Sequence, residues 1–442
     1  MALVHVVFGY AVSLAPSITF YWGIVILAVG SLDIVLNNNA HDRAAKWAAY
    51  YVCMEVLLRM TGGNVFWEAG KYGAILLLLI GLLSERLVRP WPKKYLLYFL
   101  LLIPSLLIVD FPDFQIAREE VSFNLSGPFL LTLSAIYFYT RKLSGSDVVK
   151  IFRNALLPLL TLLVYLILVT PNLEDIEFGT ESNFQASGGF GPNQVSTVIG
   201  LAIFLIIVGL FYKSFLIHGL LVDIFFMILF VVRGLATFSR GGMIGAVIGA
   251  VILIGYTAIA SKRPSVYATI FSFLLFAGGL GAIVWNYVNA QTEGRLEYRY
   301  EGKNYLTGKQ KEITSGRTDI MLTELNFFYQ NPFLGIGPGM GTLLVTNRAG
   351  MPAHSHSEYT RLLAEHGAFG LLALLILLIA PLFQIFKLPA SHRPLPMAIF
   401  VFVLFTLSHS AMRLAIPGFF YGLCLIQPVL VKQNRTNKIP HG

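Results

Sequence analysis

The strongest constraint on this chain is its succession of long apolar runs separated by short polar turns, broken once by an extended polar stretch from Gln291 to His366. A helix that crosses a bilayer needs about 20 mainly apolar residues, fewer where it is covered by protein. Twelve runs meet that requirement: 19–36, 72–83, 95–109, 127–139, 155–170, 194–212, 215–235, 242–260, 267–288, 367–386, 396–411 and 415–431. A thirteenth stretch, 44–60, is interrupted by Glu55 and Arg59, and reads as an amphipathic surface or re-entrant helix. With 56% hydrophobic and only 12% charged residues, the chain lies far from soluble domains. The expected fold class is all-α: a polytopic membrane protein with about 12 transmembrane helices and one large outer loop, 291–366, containing short helices.

Loop charges orient these spans. The turns 86–94, 141–153, 262–263 and 387–393 and the tail 432–438 are basic, and all face one side in the twelve-span topology. Alternate loops carry Asp110, Asp113, Glu119 and Glu120, then Glu174, Asp175, Glu177 and Glu181, with Arg118 opposing. By the positive-inside rule the basic side is cytoplasmic, so both termini are cytoplasmic and 291–366 lies outside, in the periplasm of a two-membrane cell. A thirteenth span would break this agreement. The net charge of +9 is thereby explained by bilayer orientation, and no nucleic-acid partner is implied. Cys53 and Cys424 have no partner spacing for a disulfide framework or a metal site. The first apolar run has neither a basic flank nor an evident small-residue cleavage site, so no cleavable signal peptide is expected. Three regions follow: 1–187, an N-terminal membrane region; 188–370, a core that includes the outer loop; and 371–442, the last spans and a cytoplasmic tail.

Chemistry is concentrated in and beside the outer loop. Arg240, in Ser239-Arg240-Gly241-Gly242, sits between two apolar spans, where an arginine is costly unless it meets an anion or a water-filled cavity or snorkels to the surface. A guanidinium forks two hydrogen bonds onto phosphate oxygens, and the adjoining glycines leave room for a phosphate at the backbone. Gly241, Gly245 and Gly249 recur on one helix face and read as close helix packing. Arg317 follows Thr314-Ser315-Gly316, a capping signal for a helix over 318–329 that stops at Asn331-Pro332. Its N-terminus favours anions, although Arg317 taken alone reads first as a solvated helix residue. The run from Gly335 to Gly341 lacks a preceding strand and a Walker lysine, so it reads as a tight or mobile loop rather than a nucleotide fingerprint. For His354 and His356, beside Glu358, three readings stand: a zinc site, although no third ligand has a persuasive spacing; a structural histidine; or a general base oriented by Glu358 or Glu365.

Taken in order, Ser-Arg-Gly-Gly at 239–242, Ser-Gly-Arg at 315–317, Pro-Phe-Leu-Gly-Ile-Gly-Pro-Gly at 332–339, and His356 with Leu362-Leu363-Ala364-Glu365 and Gly367 resemble the O-antigen ligase and O-antigen polymerase family. The resemblance is clearest over 188–370. It implies a GT-C-like glycosyltransferase of the bacterial inner membrane, metal-independent and without a cofactor, taking an undecaprenyl-diphosphate-linked glycan as donor. The acceptor is a lipid A core sugar in the ligases and another lipid-linked repeat unit in the polymerases. The family's essential histidine falls on His356, with His354 its neighbour, and its diphosphate-binding arginines fall on Arg240 and Arg317. The chain departs from the pattern before Gly189-Phe190-Gly191-Pro192-Asn193, where 183–188 holds no arginine; Arg413 or Arg361 is then expected to supply that charge. From another class, a transporter or flippase of a lipid-linked glycan would place its critical charges near the bilayer midplane, and here only Glu55 and Arg59 lie so.

Overall fold

The computed structural model describes residues 1–85, 90–179, 181–261, 263–305, 307–308, 317–349 and 355–429. Among them are seventeen α-helices. The N-terminal seven are α1 (Ala2–Leu14), α2 (Ile18–Leu36), α3 (Arg43–Met60), α4 (Ala69–Ser84), α5 (Lys93–Leu100), α6 (Phe114–Phe138) and α7 (Gly145–Val169). The middle four are α8 (Pro192–Phe211), α9 (Leu220–Ala236), α10 (Arg240–Ala260) and α11 (Pro264–Gln291). Three short helices, α12 (Arg295–Glu301), α13 (Arg317–Gln330) and α14 (Met340–Ala349), precede α15 (Glu358–Phe386), α16 (Pro394–His409) and α17 (Ala415–Leu423). The described strands, β1 (Lys142–Ser144) and β2 (Gln427–Val429), pair in parallel with Lys142 opposite Gln427.

The helical class is as expected, and some of the apolar runs fold differently from their reading. Seven helices, α2, α6, α7, α8, α10, α11 and α15, are long and apolar enough to cross a membrane, and α1, α4 and α16 are shorter apolar helices. Several such helices make this a multi-pass membrane protein. The run at 95–109 does not form one helix: α5 ends at Leu100 and a 3-10 turn opens at Pro104, whose ring cannot sit in a helix interior without cost. The last run stops at Leu423 and continues as a strand.

Segment 44–60 overturns its reading as a surface helix. Fourteen of the eighteen residues of α3 are buried, and it packs against α2, α4 and α7 in the middle of the bundle. Sequence patterning also passed over α1, which lies along α7, with His5 Nδ1 2.9 Å from Thr161 Oγ1.

What makes α3 tolerable inside is complete pairing of its charges. Arg59, near its C-terminal end, donates to Glu55 at 2.8 Å and lies 3.5 Å from Glu68, while Lys71 meets Glu68 at 2.6 Å. Two cations face two carboxylates, and all four are buried. The remaining hydrogen-bonding capacity is spent across the bundle: Ser126 Oγ donates to Glu68 (3.1 Å), the Ala415 amide to Glu55 (2.7 Å), and Arg59 to the Arg413 carbonyl (3.0 Å). Gly70 is required beside this cluster, because a Cβ there would lie 2.5 Å from the Glu55 side chain. At the opposite end of α3, Arg141 joins Asp42 and Glu85 (2.6 Å), next to the β1–β2 pair.

Breaking a buried pair leaves an uncompensated charge, which typically costs about 3–5 kcal/mol. Glu55→Ala is therefore expected to lower stability by about 3 kcal/mol, read as a shifted unfolding midpoint of the detergent-solubilised protein. Asn37→Ala, which removes only an exposed contact to Asp33, leaves the midpoint nearly unchanged.

Candidate functional site

One end of the bundle gathers the N-terminal ends of α8, α10, α13, α15 and α17 with the C-terminal end of α16. Pro192 opens α8, and Asn193 next to it accepts at Oδ1 from Ser239 Oγ (2.8 Å) and from Arg317 Nη2 (3.0 Å). Ser196 Oγ donates to the Ser239 carbonyl (2.8 Å) and accepts from the Gly242 amide (3.1 Å), which locks the start of α10 onto α8. Arg240 is the first residue of α10. The two glycines after it serve packing rather than open backbone: a Cβ on Gly241 would lie 2.2 Å from the His409 ring, and one on Gly242 would lie 1.8 Å from the Ser196 carbonyl oxygen. Gly245 and Gly249 continue that face against Phe405, Phe402 and Phe204, the close helix packing expected of the stripe.

Four arginines share this end. Arg240 Nη1 donates to the Arg299 carbonyl (3.0 Å), and Arg299 Nε donates to the Phe238 carbonyl (2.9 Å). Burial, then the neighbouring Arg240 charge, pulls Arg299 down to about 10. The same two causes lower Arg317. Arg413, in the loop between α16 and α17, is pulled down to about 10 by burial and then by Arg317. All four stay protonated at neutral pH, so the site holds mutually repelling positive charge. The carboxylates that act on them are Glu181, half exposed and 3.9 Å from Arg299, and Glu324, whose own pKa is raised by burial.

A second buried ion network stands behind the arginines. Arg361 donates to Glu358 (2.5 Å), Glu365 (2.6 Å) and Asn124 (3.0 Å). Glu358 also accepts from the Met412 amide (3.2 Å) and Glu365 from the Gly339 amide (3.0 Å). These carboxylates therefore brace Arg361 and two loops. Arg361 is neutralised by the same contacts, so its charge is directed into the helix end.

The glycine-rich run is a tight turn docked on α15. Gly367, with φ 56° and ψ −134°, kinks that helix, so Glu358–His366 forms a separate leading segment. The Ala364 and Glu365 carbonyls, at the kink, accept from the Ile336 (2.9 Å) and Gly337 (3.0 Å) amides, and the Ala368 amide donates to the Pro332 carbonyl (2.7 Å). A Cβ on Gly335 or Gly367 would come within 2.5 Å of the facing backbone. His356 is half-buried just ahead of α15, next to Ser355, whose carbonyl accepts from Arg413 Nη2 (2.5 Å). His354, Thr314, Ser315 and Gly316 lie outside the described residues.

Residues 224–375, about a third of the chain, match the family model described as O-antigen ligase. Over that segment the chain is similar to the O-antigen ligase and polymerase family. A search of curated protein sequences gives no match. Members of this family are glycosyl-transferring enzymes that act on lipid-linked glycans and their acceptors. The O-antigen ligase match spans α9 through the first half of α15, and so holds Arg240, Arg299, Arg317, His356, Glu358 and Arg361. Outside it lie Arg413, Asn193, and the Arg59 and Asn124 that support the site.

Of the residues expected from sequence, Arg240, Arg317 and Arg413 come together, and His356 joins them through Ser355. Arg299 was not foreseen; its place beside Arg240 comes from a fold-back of α12 that no local pattern signals. Asn193, the hub that holds Arg317, lay in a stretch already noted, Gly189 to Asn193, without a role.

Gly367→Ala places a side chain in a left-handed conformation, worth about 1–3 kcal/mol by itself, against a backbone oxygen it cannot displace. Expected are a lower unfolding midpoint and faster protease cleavage within 331–341, whereas Gly255→Ala, where nothing stands within 4 Å, changes neither.

Proposed function

We propose that this protein is an O-antigen ligase-like glycosyltransferase that moves a glycan from undecaprenyl diphosphate to a sugar hydroxyl on the periplasmic face of the inner membrane. The observation that carries the reading is four arginines, Arg240, Arg299, Arg317 and Arg413, within electrostatic reach of one another beside the segment that bears His356. Concentrated positive charge is unfavourable unless an anion completes it, and a lipid diphosphate supplies phosphate oxygens at that depth. Arg299 takes the place of the arginine missing before Gly189.

In this mechanism His356 takes the proton of the acceptor hydroxyl, and the freed oxygen attacks the anomeric carbon from the face opposite the diphosphate. The bond from that carbon to the diphosphate oxygen breaks, its electron pair leaves with the lipid diphosphate, and the configuration inverts. The arginines stabilise the charge that grows on the leaving group, and no metal is needed for that task. The orientation is supported by the basic residues at helix ends away from the site: Lys93, Arg263, Lys387 and Arg393 flank the ends of α5, α11, α15 and α16 remote from the outer loop. A single acceptor addition is the ligase outcome; repeated addition is the polymerase outcome. Glu55 and Arg59, the charges that a transporter reading would use, are closed in a neutral network.

With undecaprenyl-diphosphate glycan and lipid A core mixed with the full chain in one detergent phase, His356→Ala and Arg240→Ala are expected to lower transfer about 100-fold or more. Arg299→Ala lowers it about tenfold, with a raised donor KM. EDTA leaves the rate unchanged. Near-normal turnover in folded His356→Ala and Arg240→Ala proteins would refute this mechanism.

A further inference from the structure

Beside the arginine cluster lies a cleft of about 1020 Å³, wide enough for an oligosaccharide, that none of the assignments above uses. Its walls come from the loop before α4, from α4 itself and from α6. They combine aromatic rings, Phe66, Trp67, Tyr72 and Phe123, with the carboxylates Glu119 and Glu120 and with Arg118, 3.9 Å from Glu119. Phe66 and Trp67 are about half exposed, unusual for aromatic side chains this close to a buried ion network. Trp67 is fixed in place, with its carbonyl accepting from Arg59 (3.1 Å) and the same guanidinium 4.8 Å from its ring centroid. Glu120 is half-buried, and among the described residues its enclosed Oε2 has no hydrogen-bond partner. Glu68 also lines the cleft, but its charge is spent on Lys71 and Arg59.

This mixture of rings and charged groups of both signs suits sugar. Flat rings cover the apolar faces of pyranoses, carboxylate oxygens accept from hydroxyls, and a guanidinium donates to them. The position fits too. Arg413 lines the cleft and holds the carbonyl of Ser355, next to His356, while Gln194 lines it from beside Asn193, which holds Arg317. Through Arg413 and Gln194 the cleft adjoins both the segment that bears His356 and the arginine cluster. Resting on the glycosyltransferase reading above, we infer that this cleft is the acceptor subsite, taking the terminal sugars of the acceptor glycan against Phe66, Trp67 and Tyr72, with Glu120 accepting from a sugar hydroxyl.

Two variants test it in the full-length detergent-solubilised protein: Glu120→Gln, which keeps shape and removes the charge, and Phe66→Ala, which removes an exposed ring. Purified lipid A core is the acceptor probe and undecaprenyl-diphosphate glycan the donor. The expected result is an acceptor KM raised about tenfold by each, with kcat and donor KM within about twofold of wild type. Lipid A core binding without donor, followed by thermophoresis, weakens by the same factor. An unchanged acceptor KM with unchanged binding overturns the assignment, as does a rise confined to donor KM, which would make the cleft a channel for the carrier lipid. The binding arm separates this inference from the enzymatic reading. If wild type binds lipid A core but forms no product, and Glu120→Gln binds it about tenfold more weakly, the subsite stands and the transferase mechanism falls.

Discussion

Charge buried among apolar helices has to be neutralised or given a purpose, and the whole site end of this protein is arranged by that requirement. Two networks pair their charges internally. Glu55, Arg59, Glu68 and Lys71 balance to zero, and Arg361 is enclosed by Glu358 and Glu365. Both networks reach the same short loop: Glu55 holds the Ala415 amide, Arg59 the Arg413 carbonyl, and Glu358 the Met412 amide. Held from both sides, that loop presents Arg413 toward Arg317 and Ser355. The four clustered arginines are the contrast, since their charge exceeds that of the carboxylates acting on them.

Such buried pairs are poor sources of net stability, because desolvation offsets much of the Coulomb attraction. Their value here is geometric. Each carboxylate in the two networks accepts from side chains or amides of other elements, so helices distant in sequence are brought to a fixed register. Close approach of α8 and α10, where Gly200 and Gly242 meet backbone to backbone, supplies the dispersion contact that fixes Asn193 beneath Arg317.

How much of this was legible depended on whether the determining contacts were local. The helix at Arg317 was read closely, as 318–329 against Arg317–Gln330, because a capping signal and Asn331-Pro332 bracket it. The stripe from Gly241 to Gly249 was read as packing, and it is. The helix α3 was misread because Glu55 and Arg59 look like a wet face when their partners, Glu68 and Lys71, are still unassigned in space. The run at 95–109 was overextended, since hydropathy passes over Pro104 where backbone geometry does not. Arg299 was invisible to pattern reading; only folding brings it to Arg240.

The floor beneath the arginines belongs to a different part of the chain from the arginines themselves. Arg59 and Asn124, which steady Arg413 and Arg361, come from the N-terminal helices, far outside the segment shared with the family. Evolution is thus free to vary these helices only in concert with the loop they carry. Transplanting the shared segment alone into a foreign bundle would move the cations and leave behind what keeps them in place.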